Sequence, residues 1–449
     1  MTDTPARRPN ILMMIPHDLG DHLGCYGHRT VKSPHLDGLA AKGVRFTNYF
    51  TTAPECTPSR SGMFTGRYVH QNGLMGLCHR GWEFNKDARH LASLLGQSGY
   101  DTHLFGFQHE TRMSPARLGY NTMHSQQDFH VDAVCDSVAD FLRTRSDQTR
   151  EPWFAHAGFK DVHRPWKEET SFDPKELDVP PYLPDTPECR ADLAQFHECI
   201  MNMDRAVGRV LAALNESGLA ENTVVIFTTD HGCPFPRAKS TFYDPGVRIP
   251  LIMHRPGHIE GGGCIDALVS NLDYCPTLLE LCGCEALDNI QGRSVLPLLE
   301  GRPYQEREAV FGSVFYDSRY DPMHYVRTRT HKYIRSFAIT PEDARGADPT
   351  MLAQHKTGTW IRIDDSDVQR SRTWLAMNKG DFPLPPPEEL YDLINDPLEQ
   401  NNLVDAPEAK PVLEEMRRRL REMMTETDSP LLTHHVPPTL SLTGNEVYS

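Results

Sequence analysis

The chain has 449 residues, 39% of them apolar and 24% charged, which is enough apolar material for a large core and excludes wholesale disorder. A formal net charge of −15 argues against a general nucleic-acid binder, which needs a basic field, and no apolar run approaches the ~18–20 residues of a membrane span. The 11 cysteines are odd in number and irregularly spaced, so no disulfide framework is expected and most are read as small buried apolar residues.

The N-terminus, Met1 to Pro9, is short and polar, and the apolar stretch after it is shorter than the core of a signal peptide. A cytoplasmic protein is expected. Asn10–Ile15 reads as a buried strand, Pro34–Lys42 as a helix closed by Gly43, and Val44–Phe50 as a returning strand. Asp87–Gln97 has helical spacing, Tyr100–Phe105 is a strand, Val131–Arg143 an amphipathic helix, and Trp153–Phe159 a strand. The longest helical pattern, Glu188–Glu216, leads into the clearest buried strand, Thr223–Thr229; Pro250–His254 and the helix Tyr274–Cys282 follow. This alternation predicts an α/β fold with a large, mostly parallel sheet covered on both faces. Beyond about Gly301 the pattern changes. Ala309–Tyr316 and Tyr325–Phe337 read as alternating strands, Ala338–Pro387 is poorly patterned, and Glu389–Leu393 is a short strand. Pro411–Thr425 is a charged helix and Ser429–Ser449 an extended arm. Two domains are expected: a larger N-terminal one over residues 1–320 and a smaller, mainly antiparallel α+β one over 321–449.

Ligands in open α/β sheets bind beyond the carboxyl ends of strands. After Asn10–Ile15 comes Pro16-His17-Asp18, and after Thr223–Thr229 comes Asp230-His231-Gly232. Either pair alone reads as a strand-end cap. Two Asp/His pairs at one sheet edge favour a divalent-metal site with oxygen and nitrogen ligands. Cys56-Thr57-Pro58-Ser59-Arg60 opens a further helix, with Pro58 in its first turn and Arg60 on the face of Cys56. A cysteine there is either a low-pKa nucleophile at a helix N-terminus or a buried structural residue.

Cys56-Thr-Pro-Ser-Arg60 followed by Gly66 resembles the signature of the formylglycine-dependent sulfatases, and of the heparan N-sulfatase-like members in particular. Pro34-His-Leu-Asp37, Gln291-Gly-Arg-Ser294 and Glu389-Leu-Tyr-Asp-Leu393 extend the resemblance over roughly residues 9–405. It implies the alkaline-phosphatase-like fold, a mixed sheet between helices plus a small C-terminal sheet domain. It also implies that Cys56 is the precursor of Cα-formylglycine and that Arg60 is the cation beside it. Asp18, Asp230 and His231 match metal ligands, with Cys56 at the same ion, and His17 stands where most members carry Asp. His109, His163 and Lys239 match residues that hold the sulfate or act at its leaving group, whereas Phe107 replaces a sulfate-binding Lys. Calcium is the family default, and two imidazoles keep manganese in view.

Other residues have weaker claims. The loop from His70 to His79 with Phe84-Asn85 resembles the corresponding loop of heparan N-sulfatases; it reads either as part of a sugar pocket or as ordinary surface. Arg327, Arg329 and Lys332 read as a solvated strand face that also has the reach to touch substrate, and Trp166 as a core residue or a sugar platform. The function expected is a sulfatase acting on a sulfate ester or sulfamate. The alternatives are a phosphonate monoester or phosphodiester hydrolase of the same superfamily, and a non-catalytic binder of sulfated glycans. The expected partners are a small anionic sulfated substrate, such as a sulfated saccharide, and a formylglycine-generating maturase. No nucleic acid or membrane is expected, and self-association into a homo-oligomer is left open.

Overall fold

The structure, a computed structural model, describes residues 7–124, 127–145, 151–285, 287–316, 320–337, 367–378 and 386–433. Strand β1 (Asn10–Ile15) is buried at every position, as a strand covered on both faces must be. Leu12 and Met14 enter one core, while Ile11, Met13 and Ile15 enter the other, the period-two alternation of a strand. Nine further strands follow up to Ser270: β2 (Val44–Phe46), β3 (Tyr49–Phe50), β4 (Asp101–Gly106), β5 (Thr122–His124), β6 (Trp153–Gly158), β7 (Thr223–Thr228), β8 (Leu251–His254), β9 (Gly263–Ile265) and β10 (Val269–Ser270). Eight strands form one sheet in the order β5-β4-β6-β1-β7-β8-β2-β9. The run from β5 to β7 is parallel, and β8 is antiparallel to both neighbours. Helix α1 (Pro34–Lys42) and the helices Val131–Thr144 and Pro187–Glu216 cover one face. Helix α2 (Cys56–Thr65) and the helices Leu91–Gln97 and Tyr274–Leu281 cover the other.

The stretch Val44–Phe50 is not one strand. Thr47 and Asn48 donate side-chain hydrogen bonds to Asp266 (3.0 and 2.7 Å), and there the chain leaves the large sheet to pair β3 with β10. The helix expected from Asp87 begins only at Leu91, where the His90 ring accepts from the Ala92 N–H.

A second, antiparallel sheet runs β11 (Val310–Tyr316), β12 (Tyr320–Arg327), β13 (His331–Ser336) and β14 (Glu388–Asp392). The run Tyr325–Phe337, expected as one strand, is two arms of a hairpin, closed where Thr328 N–H donates to the His331 carbonyl (2.9 Å). The first strand of this sheet lies within the expected 1–320 domain. Of the poorly patterned stretch, only 367–378 and 386–387 fall among the described residues, and they include the helix Arg372–Asn378. Beyond residue 433, the expected arm lies outside the described residues.

Helix Lys410–Glu426 covers one face of the small sheet with Leu413, Met416 and Leu420. The other face packs Val310, Val314, Tyr325 and Ile334 against Phe50, Phe242 and Val247 of the larger part. The approach is close. Ser313 N–H and Tyr325 O–H donate to the carbonyls of Thr52 and Thr51 (both 2.8 Å). A Cβ at Gly312 would lie 2.4 Å from the Thr52 oxygen, so only glycine fits there.

Arg327 and Lys332 are not a solvated face. Arg327 grips Asp244 with two nitrogens at 3.0 Å, and Lys332 is fully buried between Asp244 (2.5 Å) and Glu399 (2.6 Å). Arg329 lies in the hairpin turn and pairs with Asp266 and Glu306. Burial, aided by the Asp244 charge, pushes Glu399 up to about 7 against the pull of Lys332. Its folded pKa exceeds its unfolded value, so its contribution to stability is complete below about pH 4.5 and is lost as pH rises through 7. Glu399→Gln is expected to flatten the fall in stability between pH 5 and 8, a difference of up to about 3 kcal/mol. Urea unfolding at both pH values checks this; equal slopes in variant and wild type would refute it.

No helix among the described residues is long and apolar enough to cross a membrane. All eleven cysteines are free thiols, and most are buried.

Candidate active site

β1 and β7 are adjacent and parallel, so the residues after each emerge side by side. Asp18 N–H donates to Asp230 Oδ1 (3.0 Å) and Gly20 N–H to the His231 carbonyl (3.0 Å). Asp18 takes a left-handed backbone, φ 58°, which costs a non-glycine residue about 1–2 kcal/mol and is held here by these bonds.

α2 starts at Cys56 and is buried along its whole length. It is rich in Ser and Thr, and polar bonds fix it in place. Ser59 Oγ donates to the Asp230 carbonyl (2.5 Å), and Asn271 Nδ2 donates to the Ser59 carbonyl (3.1 Å). Arg60, fully buried, donates from Nε to Asp230 (3.1 Å) and from Nη2 to the Pro16 carbonyl (3.2 Å). Its Nη1 has no partner among the described residues. These contacts bring Cys56 Sγ to 3.3 Å from His231 Nε2 and 3.8 Å from His17 Nδ1.

One ligand atom from each of His17, Asp18, Cys56, Asp230 and His231 lies within 4.8 Å of all the others, and all five residues are buried. Two carboxylates and two imidazoles are a donor set suited to a divalent cation. The electrostatics agree in kind. Burial opposes charge on Asp18 and Asp230, yet their neighbours, Lys239 foremost for Asp18 and the His17 and His231 imidazoles with Arg60 for Asp230, hold both carboxylates below their usual range. Burial lowers His17 to about 4, leaving the imidazole neutral and able to ligate.

Lys239 lies between two left-handed residues, Arg237 and Ser240. Its Nζ reaches Asp18 Oδ2 (2.6 Å), Asp367 (3.1 Å) and His163 Nε2 (3.3 Å). Burial opposes its charge, but Asp18 and Asp367 raise it well above the usual lysine value. Thr57 Oγ1 donates to the His109 carbonyl (2.6 Å), which ties the His109 loop to the first turn of α2. Burial, with His17 and His79 beside it, lowers the His109 imidazole well below its ordinary value. The Phe107 ring lies 5.2 Å from that of His17 and 5.6 Å from the Arg60 guanidinium, an apolar face beside both.

The structure thus brings together His17, Asp18, Cys56, Arg60, Asp230, His231, Lys239 and His163, with His109 on the adjoining loop. The low-pKa thiol is the reading it overturns: burial raises Cys56 well above the usual thiol value, outweighing Lys239. Trp166 belongs to the packing, its indole N–H on the Val162 carbonyl and its ring under Arg164. Three neighbours were not singled out by sequence. Asp367 comes from the unpatterned stretch. Glu110 is buried beside Arg60, its carboxylate accepting from the His109 N–H (2.7 Å). His79 stacks on His109 with ring centroids 5.4 Å apart and Nδ1 3.2 Å from His109 Nε2; the resemblance of its loop was its only signal.

Residues 9–284 match the sulfatase family, and residues 236–343 match the family described as N-sulphoglucosamine sulphohydrolase, C-terminal. The chain is 31% identical to human N-sulphoglucosamine sulphohydrolase, over 95% of this chain and 91% of that protein. Among solved structures, one in complex with its substrate D-glucosamine-2-N,6-O-disulfate superposes with a TM-score of 0.71 at 20% identity, covering 94% of this chain and 98% of that one. The phosphonate monoester hydrolase of Agrobacterium radiobacter superposes with a TM-score of 0.72 at 20% identity, over 94% and 96% of the two chains. At such identities the superpositions establish the shared alkaline-phosphatase-like fold.

Proposed function

Since the chain belongs to the sulfatase family and is a hydrolase of sulfate esters or sulfamates, we propose that its substrate is an N- or O-sulfated amino sugar and that Cys56, converted to Cα-formylglycine, is its nucleophile. The observation that carries this reading is the convergence of Cys56 with His17, Asp18, Asp230 and His231 within 4.8 Å, with the cations Arg60 and Lys239 paired to Asp230 and Asp18. The likeness to a glucosamine N-sulfate hydrolase over nearly the whole chain supports the sugar.

His17, Asp18, Asp230 and His231 would hold a divalent cation beside residue 56, Ca²⁺ by family default or Mn²⁺ by the preference of two imidazoles, and it would supply positive charge toward the sulfuryl oxygens. Formylglycine, as its hydrate, supplies one hydroxyl to attack sulfur and a second to expel sulfate. The protein's own residues do the rest. Arg60 offers Nη1 to an anionic oxygen, in a fully buried site where such a donor acts strongly. Lys239 and His163, 3.3 Å apart, share the task of protonating the departing oxygen or nitrogen. His109, neutral at pH 7, accepts the proton of the second hydroxyl. Phe107 supplies no charge, so the sulfate depends on Lys239. Lys239→Ala is expected to lower kcat/KM about 10²-fold; a loss under about threefold, less than 1 kcal/mol, would show that another cation carries the role.

The test of substrate class is a panel of glucosamine N-sulfate, an aryl sulfate and a phosphonate monoester, with the mass of the Cys56 peptide measured alongside. A preference for the phosphonate would select the runner-up reading; a fully unconverted cysteine with no turnover would select the non-catalytic binder. A maturase acting on Cys56, a cytoplasmic location and a homo-oligomer belong to the same proposal, and peptide mass, cell fractionation and light scattering test them in turn.

A further inference from the structure

Behind the loop that carries His17 and Asp18 lies a second cluster. Asp21, His22 and His28 each offer a ligand atom within 4.8 Å of the others. His28 Nε2 is 3.2 Å and His22 Nδ1 4.0 Å from the same oxygen, Asp21 Oδ1. The two imidazole rings are stacked at 4.1 Å. His22 is 2% exposed, and neither of its ring nitrogens has a hydrogen-bond partner among the described residues. Buried polar atoms are nearly always partnered, and an orphaned pair on one ring calls for a ligand or an ordered water.

We propose that Asp21, His22 and His28 bind a second divalent transition ion of the zinc class, distinct from the ion at Asp18 and Asp230. The donor set is one carboxylate oxygen and two imidazole nitrogens, the mixture that Zn²⁺ and its neighbours prefer and that Ca²⁺ does not. Tetrahedral Zn²⁺ with bonds of about 2.0–2.1 Å sets its ligand atoms about 3.4 Å apart, within the range spanned by these groups. Arg248 Nε donates to the other carboxylate oxygen, Asp21 Oδ2 (2.9 Å), and so fixes the carboxylate with Oδ1 toward the imidazoles, as outer-sphere partners of metal carboxylates do. A cavity of about 320 Å³ bordered by Asp21, Cys25, Tyr26, Arg45 and Arg248 reaches the carboxylate.

The experiment strips the full-length protein with chelator, reloads it with Zn²⁺ or Co²⁺ alone, passes it through gel filtration and counts retained metal. The wild type is expected to keep two equivalents. His28→Gln, at a half-buried position, and Asp21→Asn are each expected to keep one, with the Co²⁺ visible absorption of a tetrahedral nitrogen–oxygen site lost. Asp230→Asn is expected to lose the other equivalent and retain that absorption. Circular dichroism verifies the fold of each variant. Retained metal and Co²⁺ absorption that are the same in the wild type and in the folded variants His28→Gln and Asp21→Asn would overturn the site and leave a bound water as the partner of His22.

Discussion

Cys56→Ala is expected to lose at least about 10⁴-fold in kcat/KM while folding normally, because removal of a nucleophile leaves only binding and electrostatic contributions to the rate. No neighbour can take its place. Ser59 and Thr57 are committed to the Asp230 and His109 carbonyls, and a bare thiol, raised well above its usual pKa by burial, is itself a poor nucleophile. The fold should survive because the polar bonds that fix α2 come from Ser59, Arg60 and Asn271, not from the thiol. Deletion of one sulfur costs about 1 kcal/mol, near the mean of point substitutions. Hydrolysis of the best substrate in the panel, read with thermal unfolding and metal content, makes the comparison. Turnover close to the wild-type rate would remove formylglycine chemistry, and the phosphonate reading that shares it.

Asp230→Ala is expected to damage both activity and stability. The Asp230 carboxylate is the counter-charge of fully buried Arg60 (3.1 Å) and the acceptor of the Asp18 and His231 N–H groups (both 3.0 Å). Its loss strands a guanidinium whose Nη1 is already unpartnered, at a cost of about 3–5 kcal/mol. It also removes one carboxylate of the metal set, for an expected fall in kcat/KM of about 10³-fold or more. Asp230→Asn keeps an acceptor toward the two N–H groups. It should regain much of the stability in urea unfolding but little of the activity or bound metal. An Asn variant with near-wild-type rate and metal content would show that the carboxylate charge does not serve the ion.

β1 and β7 were legible because strands covered on both faces must read as unbroken apolar runs, and the Asp/His pairs after them are placed by the sheet edge alone. Cys56 was legible because helix entry, Pro58 and Arg60 sit within five positions. What failed was information held elsewhere in the chain. Arg327 and Lys332 carry the alternation of a wet strand, and nothing local announces Asp244, 83 and 88 positions away, as their buried partner. Thr328–Thr330 turn a hairpin without Gly or Pro, held by threonine hydroxyls, so the usual punctuation was missing. Asp367 sits in a stretch with no periodicity, and its meeting with Lys239 is a tertiary fact. Of the two readings open for the Cys56 thiol, burial decides against the low-pKa one, an effect that helix-terminal position alone does not reveal.

The contact of β11 and β12 with Thr51 and Thr52 also sets an order in time. Cys56 is 5% exposed in the finished protein, so under the formylglycine proposal a converting enzyme would meet it before the fold closes. Tyr325, which closes on the Thr51 carbonyl, is made 274 residues after Thr51. At the usual pace of synthesis of about 5–20 residues per second, that interval lasts roughly 15–55 s. During it the segment before Cys56 lacks the sheet that buttresses it, and the thiol belongs to a nascent chain. Under that proposal, the distance along the chain between Cys56 and the strands that buttress the segment before it would work as a clock for its conversion.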